Sequence, residues 1–117
     1  MITSLDTTIT IKGMSGSNYI FNVYGFKSYS DLINTFTNTP ALFAFTKRYS
    51  NGHAFEHDLI YVGETKDLST SFNQSHNYNR FLRNDANCIC IHSFYGSASE
   101  RTAAETDIIN ACGLQKV

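Results

Sequence analysis

The run Leu59-Ile-Tyr-Val-Gly-Glu-Thr-Lys-Asp-Leu68 passes from an apolar strand to a capped helix. Asp58 to Val62 is short and rich in β-branched and aromatic residues, which suits a half-buried strand. Gly63 is expected to end it. Asp67 then offers a carboxylate to the free amides of a helix in which Leu68 and Phe72 share one face at i and i+4. Upstream, Ala41-Leu-Phe-Ala-Phe-Thr46 follows the only proline, Pro40. It reads as the partner strand, because Ser50-Asn-Gly52 between two apolar runs is a strong hairpin signal.

Further toward the N-terminus, Thr8 to Lys12 places Ile9 and Ile11 on one face, and Tyr19 to Tyr24 places Tyr19, Phe21 and Val23 on one face. Gly13, Ser15, Gly16 and Ser17 between them supply turn chemistry, so a second hairpin is predicted. From Ser28 the period changes: Leu32, Ile33 and Phe36 fall at helical spacing, Ser30 can cap, and Asn38 to Pro40 stops the helix. Downstream, Phe81 and Leu82 suggest a further helical turn, and Asn87-Cys-Ile-Cys-Ile-His92 reads as a central strand. Ser99 is expected to cap a last helix that buries Ala104, Ile108, Ala111 and Cys112 and turns Glu100, Arg101 and Asp107 to solvent, with Gly113 as its stop. Strands over 41 to 46, 58 to 62 and 88 to 92 are expected to form one antiparallel sheet.

With 117 residues, 42% hydrophobic and 14% aromatic, the chain suits a single domain over 1–117 with one core. Nine basic against ten acidic residues give a net charge of −1, so the broad positive field of non-specific nucleic-acid binders is missing. No stretch approaches the about 18–20 apolar residues of a membrane span, and Met1 to Asp6 lacks a signal-peptide layout. A soluble, cytoplasmic protein without a membrane partner is the expectation. Cys88, Cys90 and Cys112 cannot all pair within one chain and read as reduced core thiols.

The string from Leu59 to Leu68 resembles the second signature of the GIY-YIG nuclease superfamily: a tyrosine-aliphatic-glycine strand end, then Thr, then a helix opening with Asp-Leu. Ala41-Leu-Phe43 stands where that superfamily has its first signature, and Glu105 where it has its metal-binding glutamate. The resemblance covers residues 41 to 113 and leaves residues 1 to 40 as an N-terminal hairpin and helix extension. It implies an α/β fold, a small three-stranded antiparallel sheet flanked by helices, that cuts phosphodiesters with one divalent metal. In such enzymes the signature tyrosines orient water, a helix arginine holds the phosphate and the glutamate holds the metal. A hard cation wants carboxylate oxygen, and the developing charge wants a guanidinium.

Carried onto this chain, Tyr61 and Glu105 match the catalytic tyrosine and metal ligand, and Gly63 the signature glycine. Phe43 and Ser71 occupy the places of the missing tyrosine and arginine, and Ala41 that of the first glycine. Loss of one preorganised stabiliser costs about 10²–10³ in rate, and two are absent together. Arg80, Arg83 and Arg101 are the candidate phosphate-binding substitutes, and Arg101 is placed to pair with Glu105 at i and i+4. Mg²⁺ or Mn²⁺ is expected to bind Glu105 weakly if at all, and not to be required.

His53 and His57 read as a surface loop, Cys88, Cys90 and His92 as one buried strand face, and His76 as a helix-end residue. Glu64 is expected to face solvent. Tyr19, Tyr24, Phe26 and Tyr29 are read as core plus protein interface, with the partner surface on the hairpin at Tyr19, Phe21 and Tyr24. The expected function is a nuclease-like domain acting as a binding or inhibitory module for a protein or protein-nucleic-acid partner. The rival is an active Mg²⁺-dependent endonuclease cleaving DNA, and a third reading is DNA or RNA binding without cutting.

Overall fold

The computed structural model describes residues 3–50, 55–73 and 86–114, with side chains from residue 8 onward. Five strands, β1 (Thr3–Lys12), β2 (Asn18–Gly25), β3 (Ala41–Ser50), β4 (Phe55–Thr65) and β5 (Cys88–Ser93), form one sheet in the order β1-β2-β5-β3-β4. Every neighbouring pair is antiparallel. Among the described residues the α-helices are α1 (Leu68–Ser71) and α2 (Ala98–Cys112).

The three expected strands do share a sheet, but the N-terminal hairpin is not an appendage to it. β2 pairs with β5 through Asn22 opposite Ile91 and Tyr24 opposite Ile89, so five strands are continuous where three were expected. The apolar run from Cys88 to Ile91 explains this: it is buried on both faces and therefore needs a neighbour on each side. The Asn87 side chain prolongs the β3 contact, accepting from Arg48 N–H at 2.7 Å and donating to the Arg48 carbonyl at 3.0 Å.

Two apolar layers flank the sheet. One holds Phe26, Tyr29, Leu32, Phe43, Phe45, Leu68, Phe72, Ile89 and Ile91, and the other holds Phe21, Val23, Leu42, Ala44, Val62, Cys88, Cys90, Ala104 and Ile108. Alternation along β3 and β5 feeds both layers. A bulge in β4 sets the face of its two halves: Tyr61 lies opposite Phe45 and Leu59 opposite Thr46, which leaves Ile60 as the extra residue. Gly63 does not end the strand, which runs on to Thr65.

The helix expected from Ser28 is only a 3₁₀ turn, Tyr29–Leu32. Asp31 accepts from the Lys27 and Ser28 amides at 3.0 and 3.3 Å, and Asn34 at φ 57 sends the chain out of helix. Tyr29 and Leu32 bury while Ile33 is exposed, so one turn satisfies the layer. The last helix is capped by Ser97, not Ser99: Ser97 Oγ accepts from Glu100 N–H at 3.2 Å, and the Glu100 carboxylate accepts from Ser97 N–H at 3.0 Å. Gly113, at φ 69, stops it as expected. Its buried face carries Arg101, Ala104, Glu105, Ile108 and Ile109, whereas Ala111 and Cys112 are exposed. The expected helical turn at Phe81 and Leu82 lies outside the described residues. Among the described residues no helix is long and apolar enough to cross a membrane.

Asp107 does not simply face solvent. Its carboxylate accepts from Ser15 N–H at 2.8 Å, Ser15 Oγ at 2.7 Å and Tyr19 Oη at 2.9 Å, and its carbonyl accepts from Met14 N–H at 3.1 Å. These bonds hold its carboxyl below the usual carboxylate range. α2 is thereby fastened to the first hairpin turn. Gly13 is buried under this carboxylate, and a Cβ there would overlap it. Gly13→Ala is expected to destabilise the chain by about 1–3 kcal/mol, the usual cost of overpacking. The loss should shrink in an Asp107→Ala background, as denaturant melts of the four proteins would show.

Candidate functional site

Tyr61 stands on β4, an edge strand, with its ring 5.9 Å from that of Phe43 and 6.4 Å from that of Phe45. Phe43 is 2% exposed and meets the Phe72 ring edge-on at 5.2 Å. Gly63 lies opposite Phe43, and a Cβ there would come within 2.6 Å of Phe43 Cζ and 2.9 Å of Tyr61 Cε2. Gly63 is thus the gap into which the two aromatic rings close.

Ser71 sits at the end of α1 beneath this layer. Its hydroxyl donates to Thr65 Oγ1 and to the Asp67 carbonyl, both at 2.7 Å. Asp67 caps α1 as expected, accepting from Ser69 N–H at 2.9 Å. The Ser71 hydroxyl ties α1 to the turn that follows β4.

Arg101 and Glu105 lie on α2, whose Ala104 and Ile108 pack on the opposite layer. Arg101 is 7% and Glu105 9% exposed. Arg101 does not turn to solvent: its Nε donates to the Glu64 carboxylate at 2.6 Å. The ion pair is therefore with β4, and Glu64 faces α2 rather than solvent. The Tyr61 ring packs with one apolar layer, and Ala104 and Ile108 of α2 pack with the other. The expected convergence of Tyr61, Ser71 and Glu105 on one side of the sheet is not how the elements pack. Arg80, Arg83, His53 and His76 lie outside the described residues.

A divalent cation requires several oxygen ligands. Among the described residues no three His, Cys, Asp or Glu side chains gather as a metal-binding group. The described donor set does not by itself make such a site.

Of the hairpin aromatics, Phe21 is core, whereas Tyr19 and Tyr24 are half-buried. Phe21 is fully buried, Tyr19 is tied to Asp107, and Tyr24 packs edge-on against Phe36 at 6.1 Å. Met14 and Ile20 are the exposed apolar residues there. His92, half-buried among Tyr19, Phe21 and Phe94, donates from Nδ1 to the Ile20 carbonyl at 2.8 Å.

A second polar group was hidden in the sequence. His57 is not in a loop: it lies on β4 opposite Arg48, and its Nδ1 is 2.8 Å from Oγ1 of the buried Thr46. Thr46 Oγ1 is in turn 3.8 Å from Cys90 Sγ. Cys88 and Cys90 are buried as expected, and burial pushes the Cys90 thiol up to about 12. The alternation Phe55, His57, Leu59 was the available signal for a strand here.

No protein-family model, curated protein or solved structure matches this chain.

Burial, and then the Arg48 charge, hold His57 below its ordinary value of 6.5. As pH falls the unfolded chain binds this proton first, so the contribution of His57 to stability is complete above about pH 6.5 and is lost on acidification toward its folded value. Urea midpoints should therefore drop through that window, and drop less in His57→Gln.

Proposed function

We propose that the chain is a GIY-YIG nuclease-like domain that acts by binding a protein or protein-nucleic-acid partner, in a regulatory or inhibitory role, rather than by cutting. The observation that carries this reading is Phe43, which sits in the apolar layer beside Tyr61 as a packed ring with no hydroxyl to orient water. Two further commitments support it. Ser71 spends its hydroxyl on Thr65 and Asp67, and Arg101 spends its guanidinium on Glu64.

The net charge of −1 favours a partner read through apolar and local polar contacts over one read through its phosphate backbone. Exposed Met14, Ile20, Phe55 and Tyr95 supply apolar contact area for such a partner.

Supercoiled plasmid, single-stranded DNA and RNA incubated with the pure chain and Mg²⁺ or Mn²⁺ test the proposal. No metal-dependent cleavage above background is expected. Robust cleavage abolished by Glu105→Ala would establish the endonuclease instead, with Arg80, Arg83 or Arg101 serving as the guanidinium.

A further inference from the structure

β1 and β4 are the two edges of the sheet, yet both line a single cleft of about 430 Å³, together with Thr46 and Cys112 near the C-terminal end of α2. The sheet curls far enough to bring its edges to one opening. The volume falls within the roughly 300–1,000 Å³ of small-molecule sites. Its walls are Ile9, Ile11, Phe55 and Leu59, and its polar groups include Lys12, Thr46 and His57.

The hydrogen-bond chemistry inside is directional. The Cys90 thiol stays protonated and can donate to Thr46 Oγ1. With the Thr46 hydroxyl donating to His57 Nδ1 across the 2.8 Å between them, the Thr46 oxygen is left to accept from the thiol. In that arrangement the neutral imidazole carries its proton on Nε2, the nitrogen left over for a ligand.

The surrounding charge is positive. Lys12 lines the cleft and has no ion-pair partner among the described residues. Arg48 stacks its guanidinium 4.1 Å from the centroid of Phe55, one of the lining rings. Among the described residues that line the cleft none is a carboxylate, and Cys112 is the other titratable group beside Lys12 and His57. The bulge at Ile60 is what turns Leu59, and with it His57 and Phe55, toward this side.

We propose that this cleft binds a small apolar carboxylate, its hydrocarbon body against Ile9, Ile11 and Leu59 and its head accepting from His57 Nε2–H in the field of Lys12 and Arg48. The proposal is independent of the nuclease-like reading, because Tyr61, Ser71 and Phe43 lie in the other layer.

Sodium octanoate, 1-octanol and sodium acetate titrated into the isotopically labelled full chain test it. The readouts are the His57 imidazole signals and the rate at which N-ethylmaleimide alkylates Cys112, the exposed cysteine at the cleft. Saturable octanoate binding is expected, with His57 titrating at higher pH when bound and Cys112 alkylated more slowly. Octanol and acetate should each bind at least about tenfold more weakly, and Lys12→Ala and His57→Phe should each weaken octanoate by about tenfold. Lys12 is exposed, so its replacement leaves the fold intact if His57→Phe does not. Absence of saturation in the millimolar range, equal binding of octanol and octanoate, or octanoate binding unchanged by Lys12→Ala would overturn the proposal.

Discussion

One inserted residue in β4 governs how this chain distributes its chemistry. The bulge at Ile60 puts Tyr61 opposite Phe45 and Leu59 opposite Thr46, so the strand changes face in the middle. Its C-terminal half gives Tyr61 and the Gly63 gap to the layer under α1. Its N-terminal half gives Leu59, His57 and Phe55 to the layer under α2. Without the bulge, one face of β4 would carry both sets, and register would force either the tyrosine or the histidine out of its present surroundings.

The Tyr61 side of that division is built for packing. Phe43, Phe45, Tyr61 and Phe72 meet at ring distances between 5.2 and 6.4 Å, mostly edge-on or tilted. Burying a ring such as Phe43 contributes about 1.5–3 kcal/mol. A substrate-facing tyrosine at the same position would need its hydroxyl in water or on a partner. The ring at position 43 serves the core.

Much of the architecture was legible in the sequence. The alternating runs at Ile9-Ile11 and Phe21-Val23, the continuous apolar run at Cys88-Ile91, the Asp67 cap and the Gly113 stop all follow from local rules and are all present. What sequence alone did not reveal depends on contacts distant along the chain. The pairing of β2 with β5 is set by the two-faced burial of the central strand, and nothing local to Tyr19–Tyr24 announces it. The helix expected after Ser28 yields to a single turn because tertiary packing needs only Tyr29 and Leu32. Arg101 looked like a solvent-facing charge until β4 brought Glu64 to it. His57 was obscured by the polar residues around it, although its alternation with Phe55 and Leu59 was the trace of a strand. At the candidate site, the residue types at 43, 61, 71 and 105 were readable, but not that the sheet lies between Tyr61 and α2.

Position 43 belongs to the core and not to an open surface, and Phe43→Tyr measures this. A hydroxyl added to a ring that is 2% exposed must be buried, at a cost of about 1–3 kcal/mol if it finds no partner. Denaturant melts should show that loss, and the variant should gain no metal-dependent nicking of plasmid. Unchanged stability together with newly acquired Mg²⁺-dependent nicking would contradict the account.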